Sequence, residues 1–257
     1  MIYGLYLSGQ GALAQSARHE VTANNLANVN TVGFKRDQAI LQEYPPETDI
    51  WPAGRRLAGP FLTKIGGGCH LAATKSSMTE GPYVTTGRSL DLALRGDGQA
   101  DSFFVVRQGQ KMVYTRAGNF CLNGVGNLVT ADGTGYIQGD AGDLRLTTTD
   151  VNVDSSGAIR DAVTGEEIGR MRIVRFESTE GLTKAGGTTF TGGEEPSEES
   201  PAAVEQGTLE MASVNAVREM VEMIEGLRAY EANMQLLKMQ DDTLGRTVNE
   251  VGRVRRA

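Results

Sequence analysis

The sequence predicts an α+β fold: paired, coiled-coil-like N- and C-terminal α-helices with a mostly antiparallel β domain between them. Three observations carry this. Residues 1–35 and 209–252 repeat their apolar residues at helical spacing. Between them, short apolar runs alternate with turn residues. Gly makes up 33 of 257 residues, about twice the usual share, and much of it falls in the middle. The expected division is a discontinuous helical domain (1–35 and 209–257), an extended connecting segment (36–70) and a β-rich outer domain (71–208). Aromatic residues are only 6% of the chain, which argues for an extended molecule over one thick core.

In the first element Leu5, Ala12, His19 and Leu26 recur every seven residues and so share a helical stripe. Gly9, Ser16 and Ala23 form a small-residue row beside it, where another helix could approach closely. Gly4, Gly9 and Gly11 each cost roughly 1 kcal/mol relative to Ala in a helix interior, so this helix needs packing to be stable. No basic residue precedes the apolar start and no Ala-x-Ala cleavage pattern follows, so a secretory signal is not expected. No window approaches the roughly 20 apolar residues of a membrane span.

The helix is expected to stop between Ala23 and Arg36, where Asn24, Asn25, Asn28 and Asn30 tolerate a left-handed helix end and Gly33 permits a tight turn. Asn24 and Asn28 lie four apart on one face, placed to bond terminal carbonyls or a neighbouring chain. The plainer reading is an Asn-rich helix stop.

Residues 38–62 hold Pro45, Pro46, Pro52 and Pro60 with Gly54 and Gly59, an extended and irregular stretch. Trp51, the only Trp, is either a contact anchor or a local packing residue. Strand-like runs follow at 90–94, 103–107, 111–115, 127–130, 144–147 and 171–176, with turns at Asn123-Gly124, Asp132-Gly133 and Ser156-Gly157. Residues 177–206 are polar and rich in Gly and Glu, and read as a surface loop or linker.

The last element has two heptad stripes. Met220, Leu227, Met234 and Val248 form one, broken by Asp241; Met223, Tyr230, Leu237, Leu244 and Val251 form the other. Val214, Val217, Val221 and Ile224 add a further apolar strip. Ser213 is the expected N-cap, and Arg253, Arg255 and Arg256 suit a helix C-terminus. At 1.5 Å per residue, roughly 40 residues give a helix about 60 Å long. An apolar surface that wide needs more than one partner.

Catalytic spacing is absent from the sequence. His19 and His70 are the only histidines and fall in different predicted regions, which disfavours a triad or metal site. Gly96-Asp97-Gly98 and Asp132-Gly133 lack calcium-loop spacing. Gly66-Gly67-Gly68 lacks the Lys-Ser/Thr of a phosphate loop. Asp91 and Asp97 read as strand-edge and turn residues with no acid–base partner. The formal net charge of −7 disfavours nucleic acid. Cys69 and Cys121 read as free or buried thiols, with a disulfide the alternative. No cofactor or metal is expected.

The run Ala23-Asn24-Asn25-Leu26-Ala27-Asn28-Val29, with Thr31, Gly33, Phe34 and Lys35, resembles the N-terminal signature of bacterial flagellar rod and hook proteins. The run Leu209-Glu210-Met211-Ala212-Ser213-Val214-Asn215, with Glu219-Met220-Val221, Met223-Ile224 and Arg228-Ala229-Tyr230-Glu231, resembles the matching C-terminal signature. Gly87–Leu94, Phe103–Val106, Tyr114–Phe120 and Gly126–Thr130 are similar to the β domain of rod proteins. The likeness covers most of the chain and is weak at 40–75 and 190–205. Family members run Gly-x-Gly straight into the Phe pair; here Gln99-Ala100-Asp101-Ser102 intervene, which implies a lengthened turn. The N-terminus is more like distal rod members, and Met234–Gln240 more like proximal ones; the distal likeness is favoured, the proximal second.

The resemblance implies a structural subunit of the basal-body rod. Copies would polymerise helically into a shaft that carries torque from motor to hook. The partners implied are other copies, other rod subunits, hook protein, the flagellar export apparatus and the bushing rings. The location implied is the periplasm-spanning rod, reached without a cleaved signal, and the 38–62 stretch would pack between subunits. The expected assembly residues are Leu5, Ala12, Asn24, Asn25, Leu26, Asn28, Gly33 and Phe34, with Met220, Met223, Leu227, Tyr230, Met234, Leu237 and Leu244. The competing reading is a secreted β-domain adhesin or hydrolase with helical oligomerisation arms.

Overall fold

The computed structural model describes residues 2–45, 67–96, 101–192 and 202–254. Trp51, Pro46, Pro52, Pro60, Asp97, Gln99, Ala100, Arg255 and Arg256 lie outside them, as does the side chain of Val251. The fold is α+β. Two long helices, α1 (Ile2–Ala27) and α2 (Ala216–Val254), bracket eighteen short strands among the described residues. The chain divides into two compact units. One holds residues 1–26, 37–75 and 216–257; the other holds 27–36 and 76–215. They are called the helical unit and the β unit below.

The β unit is organised by the strand Ser102–Gln108. Its Phe103-Phe104-Val105-Val106 run is buried on both faces, and alternation of side chains across the pleat sends the two halves to two cores. Phe104 and Val106 join the larger cluster with Leu92, Leu94, Phe120, Leu128, Ile137 and Val204. Phe103 and Val105 join the smaller one with Val174, Phe176 and Phe190. Edge-on ring contacts lock both sides, Phe104 to Phe120 at 5.2 Å and Phe103 to Phe176 at 5.7 Å.

The main sheet runs in the order 182–186, 189–192, 111–115, 102–108, 136–139, 128–129 and 121–122, with 142–143 and 173–175 paired at its sides. Residues 151–153, 158–161 and 167–170 form a separate three-stranded sheet. The strands 203–206 and 208–210 pair antiparallel with 92–95 and 83–85.

Three expectations need correction here. Residues 144–147 form no strand; Arg145 makes a single bridge to Asn127. Residues 177–206 are more than a loop. Leu182–Gly186 and Thr189–Gly192 make a hairpin, and Ala203–Gln206 is a strand. The hairpin was hidden because only Leu182 and Phe190 carry its apolar face. The turn expected at Asn123-Gly124 is present; its left-handed residue is Gly126 (φ 88°), and the Asn123 carboxamide oxygen accepts from the Val125 and Asn127 amides. Finally, α2 starts at Ala216, and residues 208–210 before it are a strand.

In the helical unit the strands Asp37–Glu43 and Cys69–Ser76 pair with each other. Tyr44 stacks on His70 at 4.1 Å. Gly68, at φ 95°, lies against α1: a Cβ there would stand 3.0 Å from Cβ of Gln10. Both cysteines are free.

Candidate assembly surface

In the helical unit α1 and α2 touch along an antiparallel seam. A Cβ on Gly4 would stand 3.1 Å from the Gln240 amide, and one on Gly11 3.0 Å from the Asn233 amide. Arg18 lies 4.0 Å from Glu222, and Asn25 donates to the Glu219 carboxylate at 3.2 Å. Residues 4, 11, 18 and 25 are one heptad row of α1; 219, 226, 233 and 240 are one row of α2. The closest approach is therefore made by small and polar residues, with Gly226 buried at the remaining place. In the row Gly9, Ser16 and Ala23 the space at Gly9 is open within this chain, since a Cβ on Gly9 would meet nothing within 4 Å.

This seam sorts the predicted residues of α2 into two sets. Met223, Tyr230, Leu237 and Leu244 are half-buried, while Met220, Leu227 and Met234 face solvent. Val217, Val221, Ile224, Leu236, Met239 and Val248 are exposed with them. On α1, Ala12 is buried and Leu5 and Leu26 are half-buried, whereas Tyr6 and Leu13 project into solvent. Leu13 is 67% exposed and Leu227 42%, in helices whose polar rows are turned inward. An amphipathic helix packed on its own domain does the reverse.

The Asn-rich helix end works differently from expectation. No residue other than Gly has positive φ among the described residues, so no Asn takes the left-handed conformation. Asn25 is buried, and its carboxamide pairs with the Asp37 backbone, accepting from N–H at 2.9 Å and donating to C=O at 2.8 Å. Asn24 is exposed. Asn28 accepts from the Thr31 hydroxyl at 3.2 Å and closes the following turn.

That turn belongs to the β unit. Gly33 has φ 69°, and a Cβ on it would fall 2.4 Å from the Ala117 nitrogen. Its N–H donates to the Glu210 carbonyl at 2.8 Å. Phe34 is buried beneath the Lys184 ammonium, 3.8 Å from its ring centre. Ser213 does not cap α2. Its hydroxyl oxygen accepts from the Arg36 N–H at 3.1 Å, its own N–H donates to the Phe34 carbonyl at 3.0 Å, and Asn215 precedes the first helical residue.

Sequence reasoning missed the cluster beneath this turn. The Lys35 ammonium donates to Glu210 at 2.6 Å and to the Thr79 carbonyl at 2.8 Å. Arg116 Nε donates to the other Glu210 oxygen at 2.8 Å; its remaining nitrogens reach the Ser102 and Leu94 carbonyls and Glu80. Lys35, Arg116 and Glu210 are each at most 1% exposed. Burial pushes the Lys35 ammonium down from 10.5 to about 8, with Glu210 pulling against that shift. The available signal was one charged residue inside each of three family-like motifs, at 35, 116 and 210.

An open groove of about 410 Å³ lies beside the turn, lined by Thr31, Val32, Ala117, Asn119, Asp132 and Thr188 among others. Asp132 is its carboxylate, and hydrogen bonds from the Thr130 and Thr134 hydroxyls hold it below the usual carboxylate range. An ionised carboxylate already engaged by its own turn is poorly suited to proton transfer. Among the described residues no group of three or more His, Cys, Asp or Glu is placed to hold a metal. None of the described helices is long and apolar enough to cross a membrane.

Three family models match the chain: "Flagella basal body rod protein" over residues 5–35, "Flagellar hook protein FlgE/F/G D1 domain" over 93–161, and "Flagellar basal body rod FlgEFG protein C-terminal" over 205–250. The chain is 31% identical to the flagellar basal-body rod protein FlgG of Bacillus subtilis over 265 residues, covering 97% of this chain and 99% of the relative. It is 31% identical to FlgG of Agrobacterium fabrum over 257 residues, 93% and 95% of the two chains. It is 25% identical to the flagellar hook-basal body complex protein FlhO of Bacillus subtilis over 273 residues, 99% and 100% of the two.

Proposed function

This chain belongs to the bacterial flagellar basal-body rod and hook protein family as a structural subunit of the rod, and we propose that its copies polymerise helically through the solvent-facing stripe of α2. The observation that carries this is the inverted arrangement of the helices. Met220, Leu227 and Met234 are exposed in a row, while the polar residues Glu219, Asn233 and Gln240 face α1. Burying large side chains of this kind stabilises by roughly 1.5–3 kcal/mol each, and in the single chain that stabilisation is not realised. A heterologous contact repeated from copy to copy builds an open helical filament.

In this reading the coiled-coil pairing of the ends is completed between copies. Leu5, Ala12, Leu26, Met223, Tyr230, Leu237 and Leu244 hold the pair, and Met220, Leu227 and Met234 meet neighbours. Asn24 is the Asn of the signature that is exposed to a neighbour; Asn25, Asn28, Gly33 and Phe34 act by fixing the chain before assembly. The filament would carry torque from motor to hook across the periplasm, in contact with other rod subunits, hook protein and the bushing rings, after passage through the export apparatus without cleavage of a signal. The chain does no catalysis. The relatives lend no support to an adhesin or hydrolase.

The test is electron microscopy of basal bodies from a deletion strain complemented with the wild type or with Leu227→Asp. A truncated rod with no hook is expected in the deletion strain and in the variant, and the stump length separates proximal from distal position. Full-length rods and normal swimming in the deletion strain would overturn the rod assignment. Full-length rods in Leu227→Asp alone would overturn the choice of stripe.

A further inference from the structure

The charges at the centre of the β unit are supplied from three distant parts of the chain. Lys35 and Arg116 bring two fully buried cations, and Glu210 places one carboxylate oxygen on each, at 2.6 and 2.8 Å. The Gly81 N–H also donates to Glu210 at 2.9 Å. Glu80, the second anion, is 12% exposed, pairs with Arg116 at the longer distance of 3.3 Å, and also accepts from the Gly96 N–H. Without Glu210 the same interior would hold two cations against one peripheral carboxylate. An uncompensated buried charge opposes folding strongly.

Two separate two-stranded pairings tell the same story independently. Strands 83–85 and 92–95 pair with 208–210 and 203–206. Ala202 and Val204 are part of the larger core. The segment that carries Glu210 also fastens the turn at the other end of the chain, through Gly33 N–H to Glu210 C=O and Ser213 N–H to Phe34 C=O.

We infer that Glu210 is an ionic latch that makes closure of the β unit conditional on its C-terminal segment, so that the strands over residues 76–192 reach native packing only when 202–215 dock. A chain whose last fifth is unavailable would then remain open, with its larger core uncovered, until the whole sequence is present.

Pulse-labelling hydrogen exchange during refolding of the full chain tests this. Amides of 102–108 and 136–139 should gain protection in the same kinetic phase as those of 203–210. Protection of the central strands in an earlier phase would overturn the inference. In Glu210→Gln the central strands should exchange at least a hundredfold faster than in the wild type. Adding Lys35→Met removes the excess positive charge and should recover at least tenfold of that loss. A role confined to shape and packing would make the double variant worse than the single one. Wild-type protection of the central strands in Glu210→Gln, or no recovery in the double variant, would likewise overturn the latch. The measurement is made on the unassembled chain, so it fails or succeeds independently of the rod reading.

Discussion

The two units place their apolar residues in opposite ways. In the β unit, phenylalanines, leucines and valines fill two clusters, and even its buried charges are paired. In the helical unit, the only buried apolar side chains among the described residues are Ala12 and Ala14. Many of its long apolar side chains, from Tyr6 and Leu13 to Met239 and Val248, face water instead, and others such as Met223 and Leu237 are only half-buried. Polar atoms on Gln15, His19, His70 and Gln240 there are buried with no hydrogen-bond partner, as is Asp91 Oδ1 in the β unit, a condition that costs stability. The lesson is that one unit is finished within the chain, while in the reading proposed above the other is left for association to finish.

The largest effect is expected where the finished unit is tightest. Gly33→Ala puts a Cβ into the Ala117 backbone and forces a left-handed φ on a residue that resists it. It should destabilise the β unit by about 3–5 kcal/mol, read as a shift of its denaturant midpoint. An unchanged midpoint would mean that the turn is not part of that unit's cooperative structure. Asn25→Ala comes next. It removes both hydrogen bonds to the Asp37 backbone and leaves Glu219 buried without its amide partner, at about 2–3 kcal/mol. Hydrogen exchange should show that loss in α1 and α2 with the 102–108 strand untouched. Equal loss in both units would erase the contrast drawn above.

A smaller effect comes from pH. Lys35 has a folded pKa of about 8 against 10.5 in the unfolded chain. Between those values the unfolded state holds a proton that the folded state has released, so this group makes stability rise with pH. The slope is at most about 1.4 kcal/mol per pH unit. The useful window is pH 8 to 10, because burial raises the Tyr83 pKa above its usual value and acts with the opposite sign beyond it. Lys35→Met should flatten the slope; an identical slope in that variant would move the proton release to another group.

How far the sequence revealed this contrast depended on the kind of signal. Heptad spacing located both helices and both stripes of α2, since periodicity is a property of the chain alone. It did not say which stripe faces inward. That depends on the partner helix, and the inward row 219, 226, 233 and 240 is polar, so an apolar pattern points away from it. The run at 103–107 was legible as a strand, though not that it is buried on both faces. The hairpin at 182–192 was not, because two apolar residues in a Gly- and Thr-rich stretch carry too little alternation. The buried Lys35, Arg116 and Glu210 were invisible as a set, because each reads alone as a solvated charge and only tertiary packing brings them together.

The smallest and most discriminating change is the same Gly→Ala exchange moved to the other unit. A Cβ on Gly9 meets nothing within 4 Å, and the residue lies inside α1. In the isolated chain Gly9→Ala should therefore stabilise α1 by about 1 kcal/mol through helix propensity, opposite in sign to Gly33→Ala. Slower amide exchange across α1 would show it. Its effect on polymerisation then decides what the open space is for. If filaments form as in the wild type, the row Gly9, Ser16 and Ala23 stays open in the assembly. If the stabilised chain no longer polymerises, a neighbouring helix must approach at that row, and α1 contributes a close-packed face to the filament alongside the apolar stripe of α2.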